Sequence, residues 1–301
     1  MIRSIAARRR ITLAVLLGPI TIILGVFFLA PLAIMAVYSL LEPGLYGGVD
    51  WNFYHWNYGR ILGWADGMME EFDPVYAVIF LRSFKLALTT VVLTLIICYP
   101  VAFWVSRLPG RTKTLCLFLI TLPFFASLIV RLYAWVMILK PSGALQQILT
   151  FLGIDITVEI IFTERAVITG MVYVMTPFMF LPVYASVEKL NRTLLEASAD
   201  LGATRFQTFV RVVVPMTLPG IVGGSIIVFI PSLGNFVIPE VLGGAKVLMI
   251  GNLIEQQFLY ARNWPFGAAL AMMVMATVLI LLFAYVTLVL RRSERDQGMT
   301  V

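Results

Sequence analysis

Charge is scarce in this 301-residue chain. Asp, Glu, Lys and Arg make up 13% of the residues, about half of the roughly 25% usual in soluble proteins. Hydrophobic residues make up 60%. That balance excludes a soluble globular domain and an intrinsically disordered chain alike. Cysteine is limited to Cys98 and Cys116, both in or beside apolar runs, so no disulfide framework is expected. His55 is the only histidine; there is no HExxH zinc pattern, and no Ser or Cys has an evident base beside it. A metalloprotease or other intramembrane enzyme therefore has no catalytic residues to offer, and no metal ligands are predicted. A GxxxxGK[ST] sequence is also missing, so the chain has no P-loop of its own to hold nucleotide phosphates.

What is present is apolar sequence in long runs. A spanning helix needs about 20 largely apolar residues, and six segments qualify, near 13–40, 81–106, 114–139, 166–187, 217–239 and 266–290. The fold class read from them is an all-α integral membrane protein with six transmembrane helices. Lys and Arg concentrate in alternate connections: Arg3, Arg8, Arg9 and Arg10; Arg107, Arg111 and Lys113; Lys189, Arg192, Arg205 and Arg211; Arg291, Arg292 and Arg295. Cytoplasmic loops retain such residues, which predicts that both termini are cytoplasmic. Acids show the opposite bias, with only Glu188, Glu196, Asp200, Glu294 and Asp296 on that side. The net charge of +6 thus describes topology and gives no reason to expect nucleic acid. The first run follows Arg8–Arg10 as a signal peptide would, but it continues for nearly 30 residues without a small-x-small site, so a retained helix is expected.

Residues 1–301 read as a single transmembrane domain, with a core over about 75–290, a cytoplasmic loop at 188–217 and an outer loop at 42–80. No internal repeat or low-complexity tract is evident. The outer loop carries Trp51, Phe53, Tyr54, Trp56, Tyr58 and Trp64 with the acids Asp66, Glu70, Glu71 and Asp73. That composition suits an interfacial aromatic belt or a docking surface for an extracytoplasmic partner. Pro19, Pro31, Pro100, Pro123, Pro177, Pro182 and Pro231 fall inside the apolar runs. Each removes a backbone donor and tends to kink its helix.

Between the fourth and fifth apolar runs lies a polar island, EASADLGATRFQTFVRVVVPMTLP at 196–219. Glu196 to Leu201 use good helix formers, Gly202 breaks the run, and Ala203 to Val213 resume it until Pro215. Such a segment cannot lie in hydrocarbon, so it is expected on the membrane surface, facing another protein. The island resembles the EAA loop of binding-protein-dependent ABC importer permeases: EAA, three residues, Gly, nine residues, then an aliphatic-x-aliphatic-Pro ending. Glu196, Ala197 and Ser198 fill the triplet, Gly202 falls in place, and Val212, Val214 and Pro215 close the pattern. Only Ser198 departs from the usual Ala. The resemblance implies that Glu196, Ala197, Ser198, Asp200, Gly202, Val212 and Pro215 belong to an ATPase-coupling loop. It also implies a bacterial inner-membrane location and four kinds of partner: a second permease subunit, with a heterodimer expected; an ABC ATPase dimer that uses ATP and Mg; an extracytoplasmic solute-binding protein; and membrane lipid. No cofactor is expected on this chain itself.

Four further segments, LIVRLYAWVMILK (128–140), PFMFLPVYASVEKLNRTLLEASADLGA (177–203), IPSLGNFVIPEVLGGAK (230–246) and RNWPFGAAL (262–270), are similar to spermidine/putrescine permeases, with WADG at 64–67 as an extension. The resemblance implies import of a polyamine, and candidate residues for its path follow from the chemistry of a cation. No Asp or Glu occurs at 75–154, 166–187 or 201–239, so aromatic faces would carry recognition, at about 0.5–2 kcal/mol for each cation–π contact. Tyr133, Trp135, Tyr173 and Phe236 are the candidates, with Tyr99 and Trp104 as further aromatics of the spans. The GNFVIPE stretch adds Asn235, where related permeases often have Glu, and Glu240. Arg131 is the anomalous charge, eight residues inside the end of its span. Such a residue defaults to a functional role, although pairing with a carboxylate or carbonyl, or snorkelling, is the expectation in a cation importer. Asn235 and Arg131 keep open a second reading, an importer of the same superfamily for another solute such as an amino-acid derivative or an opine-like compound.

Overall fold

The computed structural model describes the backbone of residues 2–64, 72–154 and 159–298, and the side chains of these residues except 2–14, 192, 286 and 288–298. Asp66, Glu70 and Glu71 of the outer loop lie outside the described residues. Among the described residues, six helical stretches are long and apolar enough to cross a membrane: Val15–Tyr38, Val75–Val105, Leu128–Phe151, Glu164–Glu188, Arg205–Leu233 and Trp264–Tyr285. The chain divides into two compact units, residues 1–76 with 254–301, and residues 77–253.

The first unit contains helix α1 (Ile2–Tyr38), a hairpin of β1 (Leu41–Pro43) and β2 (Val49–Phe53), and the short helix α2 (Trp56–Ile61). It also holds α12 (Trp264–Gly298), which packs on α1. From Val15 onward α1 exposes apolar side chains on most of its surface, as a helix meant for hydrocarbon does. The hairpin is the one sheet among the described residues. Val49, Trp51 and Phe53 alternate along β2, and the connection bends at Gly47 and Gly48, whose φ values of 94° and 86° favour glycine. Asn57, fully buried, donates to the carbonyls of Ser39 and Leu41 at 3.1 and 2.9 Å and so fixes α2 against the exit of α1.

The second unit is built on α3 (Val75–Val105), α7 (Glu164–Glu188) and α10 (Val214–Leu233). Helices α7 and α10 run closely together because α10 presents Gly220 and Gly224 to α7: a Cβ at Gly220 would strike the Ser186 hydroxyl and the Pro182 carbonyl, and one at Gly224 would lie 2.9 Å from the Met179 sulfur. Small residues at such crossings let helix backbones approach. One apolar cluster joins Cys98, Ala102, Met179, Phe180, Val183 and Val228. A second joins Leu86, Leu132, Leu139, Met171, Ile238, Leu242 and Met249.

Two spans differ from the expectation. The segment 114–139 is not one helix but α4 (Gly110–Thr121), a 3₁₀ turn at Leu122–Phe125 and α5 (Leu128–Leu139). Pro123 sits within the 3₁₀ turn, and Ala126 and Ser127 are extended, with ψ of 143° and 133°. After α5 and a turn, α6 (Ala144–Phe151) extends the apolar stretch, so the candidate span is Leu128–Phe151. The segment 217–239 begins earlier and ends earlier. α10 stops at Leu233, Gly234 follows as its C-cap, and a π-helical turn at Pro239–Gly243 leads towards α11 (Ile250–Leu259).

Candidate functional site

The island at 196–219 forms two short helices and a direct run into the fifth span. α8 (Arg192–Asp200) starts where the Asn191 side chain accepts the Thr193 N–H at 3.0 Å. It stops at Gly202, whose φ of 79° allows the N–H groups of Gly202 and Ala203 to reach the Ala199 and Ser198 carbonyls at 2.9 and 3.1 Å. α9 (Arg205–Thr208) opens with a reciprocal capping box between Thr204 and Gln207. Between the helices, the Ser198 and Thr208 hydroxyls lie 2.9 Å apart; since Ser198 donates to the Leu195 carbonyl at 2.9 Å, Thr208 donates to Ser198. The residue that departs from the family's usual Ala thus ties the two helices together.

Pro215 does not end the helical path. A π-helical turn at Phe209–Val213 precedes it, and Pro215 sits in the first turn of α10, where a missing N–H costs nothing. The wide turn also removes the α-helical demand that residue 215 donate to the carbonyl of residue 211. Behind this turn Phe209 meets the Tyr99 ring edge-on at 5.5 Å, and Tyr99 exchanges a 2.7 Å hydrogen bond with Thr217 in a buried setting. Tyr99 is therefore part of the packing between α3 and the start of α10. Lys113 and Glu188 pair at 2.8 Å beside the loop. The tip of the loop is apolar and open: Leu201 is 89% exposed and Phe206 75%. Neither was singled out from the sequence, although both are large apolar residues inside a polar island. Glu196, Ala197 and Asp200 are exposed, and Ser198 and Val212 half-buried.

The candidate path residues fall into two groups that border the same apolar cluster. In one, Trp135 of α5 meets Tyr173 of α7 edge-on at 5.6 Å, and the Arg131 guanidinium carbon stands 5.9 Å from the Tyr173 ring centre. Arg131 occupies the first turn of α5, where the helix dipole disfavours a cation. Among the described residues it has no carboxylate partner, and its buried Nε is unsatisfied. Tyr133 lies on the same helix but is exposed.

The second group occupies the break after α10. Asn235 uses its Oδ1 to accept the Ile238 N–H at 2.9 Å, so it caps the next turn. Phe236 and Glu240 are exposed. Beneath them lies Asn252 of α11, 2% exposed, which was not singled out from the sequence. Its Nδ2 donates to the Phe236 carbonyl at 2.8 Å and to Glu240 Oε2 at 3.3 Å, while its Oδ1 has no partner among the described residues. An unsatisfied buried acceptor costs about 1–3 kcal/mol. The start of α11 is held in place by the Ile250 N–H, which donates to Ser83 Oγ at 2.7 Å, and by Gly251, where a Cβ would lie 2.6 Å from the carbonyls of both Gly234 and Asn235.

Residues 96–295 match the family of binding-protein-dependent transport system inner membrane components. The chain belongs to this family. The permease is 41% identical over 230 residues to the spermidine/putrescine transport system permease protein PotB of Escherichia coli (strain K12), covering 76% of this chain and 80% of that protein. It is 42% identical over 215 residues to the PotB of Haemophilus influenzae, covering 71% and 75%. Its fold is that of a chain in the crystal structure of a bacterial ABC transporter involved in the import of the acidic polysaccharide alginate. The TM-score is 0.64 at 19% identity, covering 95% of the permease and 98% of that chain. It is a multi-pass inner-membrane protein, and the six-span reading of the sequence stands.

Proposed function

We propose that the permease is one membrane subunit of an ATP-driven importer for polyamines, working with a second permease subunit, a separate ABC ATPase dimer and an extracytoplasmic solute-binding protein. The observation that carries the substrate class is the 41–42% identity to two spermidine/putrescine permeases over more than two thirds of the chain. In this reading residues 196–215 are the coupling loop, and both termini lie with it in the cytoplasm, as the Lys and Arg distribution supports. ATP and Mg belong to the partner, because the sequence holds no P-loop. The exposed Leu201 and Phe206 at the tip of a capped, hydrogen-bonded helix pair suit insertion into a groove on that ATPase. Closure of the ATPase would then move the loop, and the helical path from Arg205 to Leu233 would carry the motion into the fifth span.

Arg131, whose Nε is unsatisfied and which has no carboxylate partner among the described residues, favours a second reading, in which the solute bears a carboxylate, as an amino-acid derivative or opine-like compound does. Competition for uptake in membrane vesicles among putrescine, spermidine and anionic solutes separates the two. Inhibition by the two amines alone is the result expected; inhibition by anionic solutes with none by putrescine or spermidine would overturn the polyamine assignment.

A further inference from the structure

The break after α10 gathers side-chain acceptors around one committed side-chain donor. Asn252 commits both Nδ2 contacts, to the Phe236 carbonyl and to Glu240 Oε2. The reverse amide orientation would set its oxygen against two other oxygens, so the assignment is fixed by chemistry. Oδ1 is left buried without a donor among the described residues, next to a carboxylate whose residue is exposed. The Asn235 oxygen, by contrast, is taken by the Ile238 N–H.

We propose that Glu240 and Asn252 form a binding site for a protonated primary or secondary amine, with Glu240 supplying the charge and Asn252 both positioning that carboxylate and accepting a second N–H bond. This rests on the polyamine reading and gives it a place and a chemical requirement. The reach fits. Asn252 Nδ2 lies 3.3 Å from Glu240 Oε2, and the two heteroatoms of an amide are about 2.3 Å apart. The two acceptors are therefore no more than about 5.6 Å apart, and two charge-assisted bonds of about 2.8 Å from one tetrahedral ammonium nitrogen span about 4.6 Å, a separation that rotation of the exposed Glu240 carboxylate brings within reach. An alkylammonium group has donors and no acceptor, so it meets every vacant position in the set. A quaternary ammonium has charge but no N–H and leaves the Asn252 oxygen unsatisfied. Glu240 would attract it, and Asn252 would discriminate against it.

The test is saturation-transfer NMR on the solubilised complex, purified through its ATPase and free of solute-binding protein, with putrescine as probe and its fully N-methylated bis-quaternary counterpart as control. Glu240→Gln preserves an acceptor for Asn252 at an exposed position; Asn252→Ser removes the buried amide. We expect putrescine to bind the wild-type complex, each variant to bind it about tenfold more weakly, and the double variant to be little weaker than either single one, since the residues share one ligand. The bis-quaternary diamine should give no competing signal. Wild-type affinity in both variants, in complexes that retain the ATPase, would overturn the site, as would equal binding of the quaternary compound or no binding to the wild type. Failure of the polyamine reading is read separately, as absence of putrescine uptake by wild-type complex in vesicles with its binding protein.

Discussion

Gly202 and Tyr99 bracket the proposed coupling loop, one at its tip and one beside the start of α10, and each gives a single-residue prediction. Gly202 sits at φ 79° with open space around its Cα, so a side chain there meets backbone strain and no clash. Gly202→Ala should cost about 1 kcal/mol, and Gly202→Asn, which tolerates this region, less. Gly202→Asp adds a charge at the tip; we expect insertion to persist and putrescine uptake to fall at least tenfold. Normal ATP-driven uptake by a membrane-inserted Gly202→Asp variant would count against the coupling role. Tyr99→Phe keeps the edge contact with Phe209 and removes the 2.7 Å bond to Thr217. Thr217 retains its bond to the Val213 carbonyl, so the loss should be about 1 kcal/mol, seen as a lower melting temperature in detergent. Gly202 was legible because a positive φ after a helix selects glycine. Asn252 was not, because its importance comes from Phe236 and Glu240 arriving beside it from a different element.

At the scale of elements, apolar length identified the spans but not their interruptions. Pro123 and Pro215 look alike in sequence. One lies in a 3₁₀ turn that separates α4 from α5; the other is absorbed into the first turn of α10. The difference lies in the residues before them, since only Pro215 is preceded by a π-helical turn, and i→i+5 bonding has no clear signature in hydropathy. The break after Leu233 was hidden for a similar reason: 217–239 carries no charged residue, and the chain turns at Gly234 with Asn235 capping the next segment. Close packing of α7 on α10 depends on Gly220. Gly220→Val should separate the two helices, at a cost of about 1–3 kcal/mol, with reduced recovery of monodisperse protein in size-exclusion chromatography. An unchanged elution profile and melting temperature would argue against this crossing.

For the whole molecule, charge distribution in the sequence already divided the two sides, and that division is open to measurement. A cysteine introduced at the exposed Thr204 should react with a membrane-impermeant maleimide in inverted vesicles and not in intact cells or spheroplasts. Leu201→Glu combined with Phe206→Glu should leave the permease inserted while reducing co-purification of the ATPase at least tenfold; undiminished retention would move the docking surface elsewhere. The motif's polar and small residues do not mark this tip, because its exposed area comes from the two large apolar side chains set among them. The π-helical turn at Phe209–Val213 also sets the angular register between that tip and the fifth span. Deleting one residue from the turn and restoring α-helical winding would rotate the tip by about 100° about the axis of α10 and draw it in by about 1.5 Å. Leu201 and Phe206 would then point a quarter-turn away from their present direction while every residue of the motif remained in the chain, so the loop is cut like a key whose angle depends on a single surplus residue in its shaft.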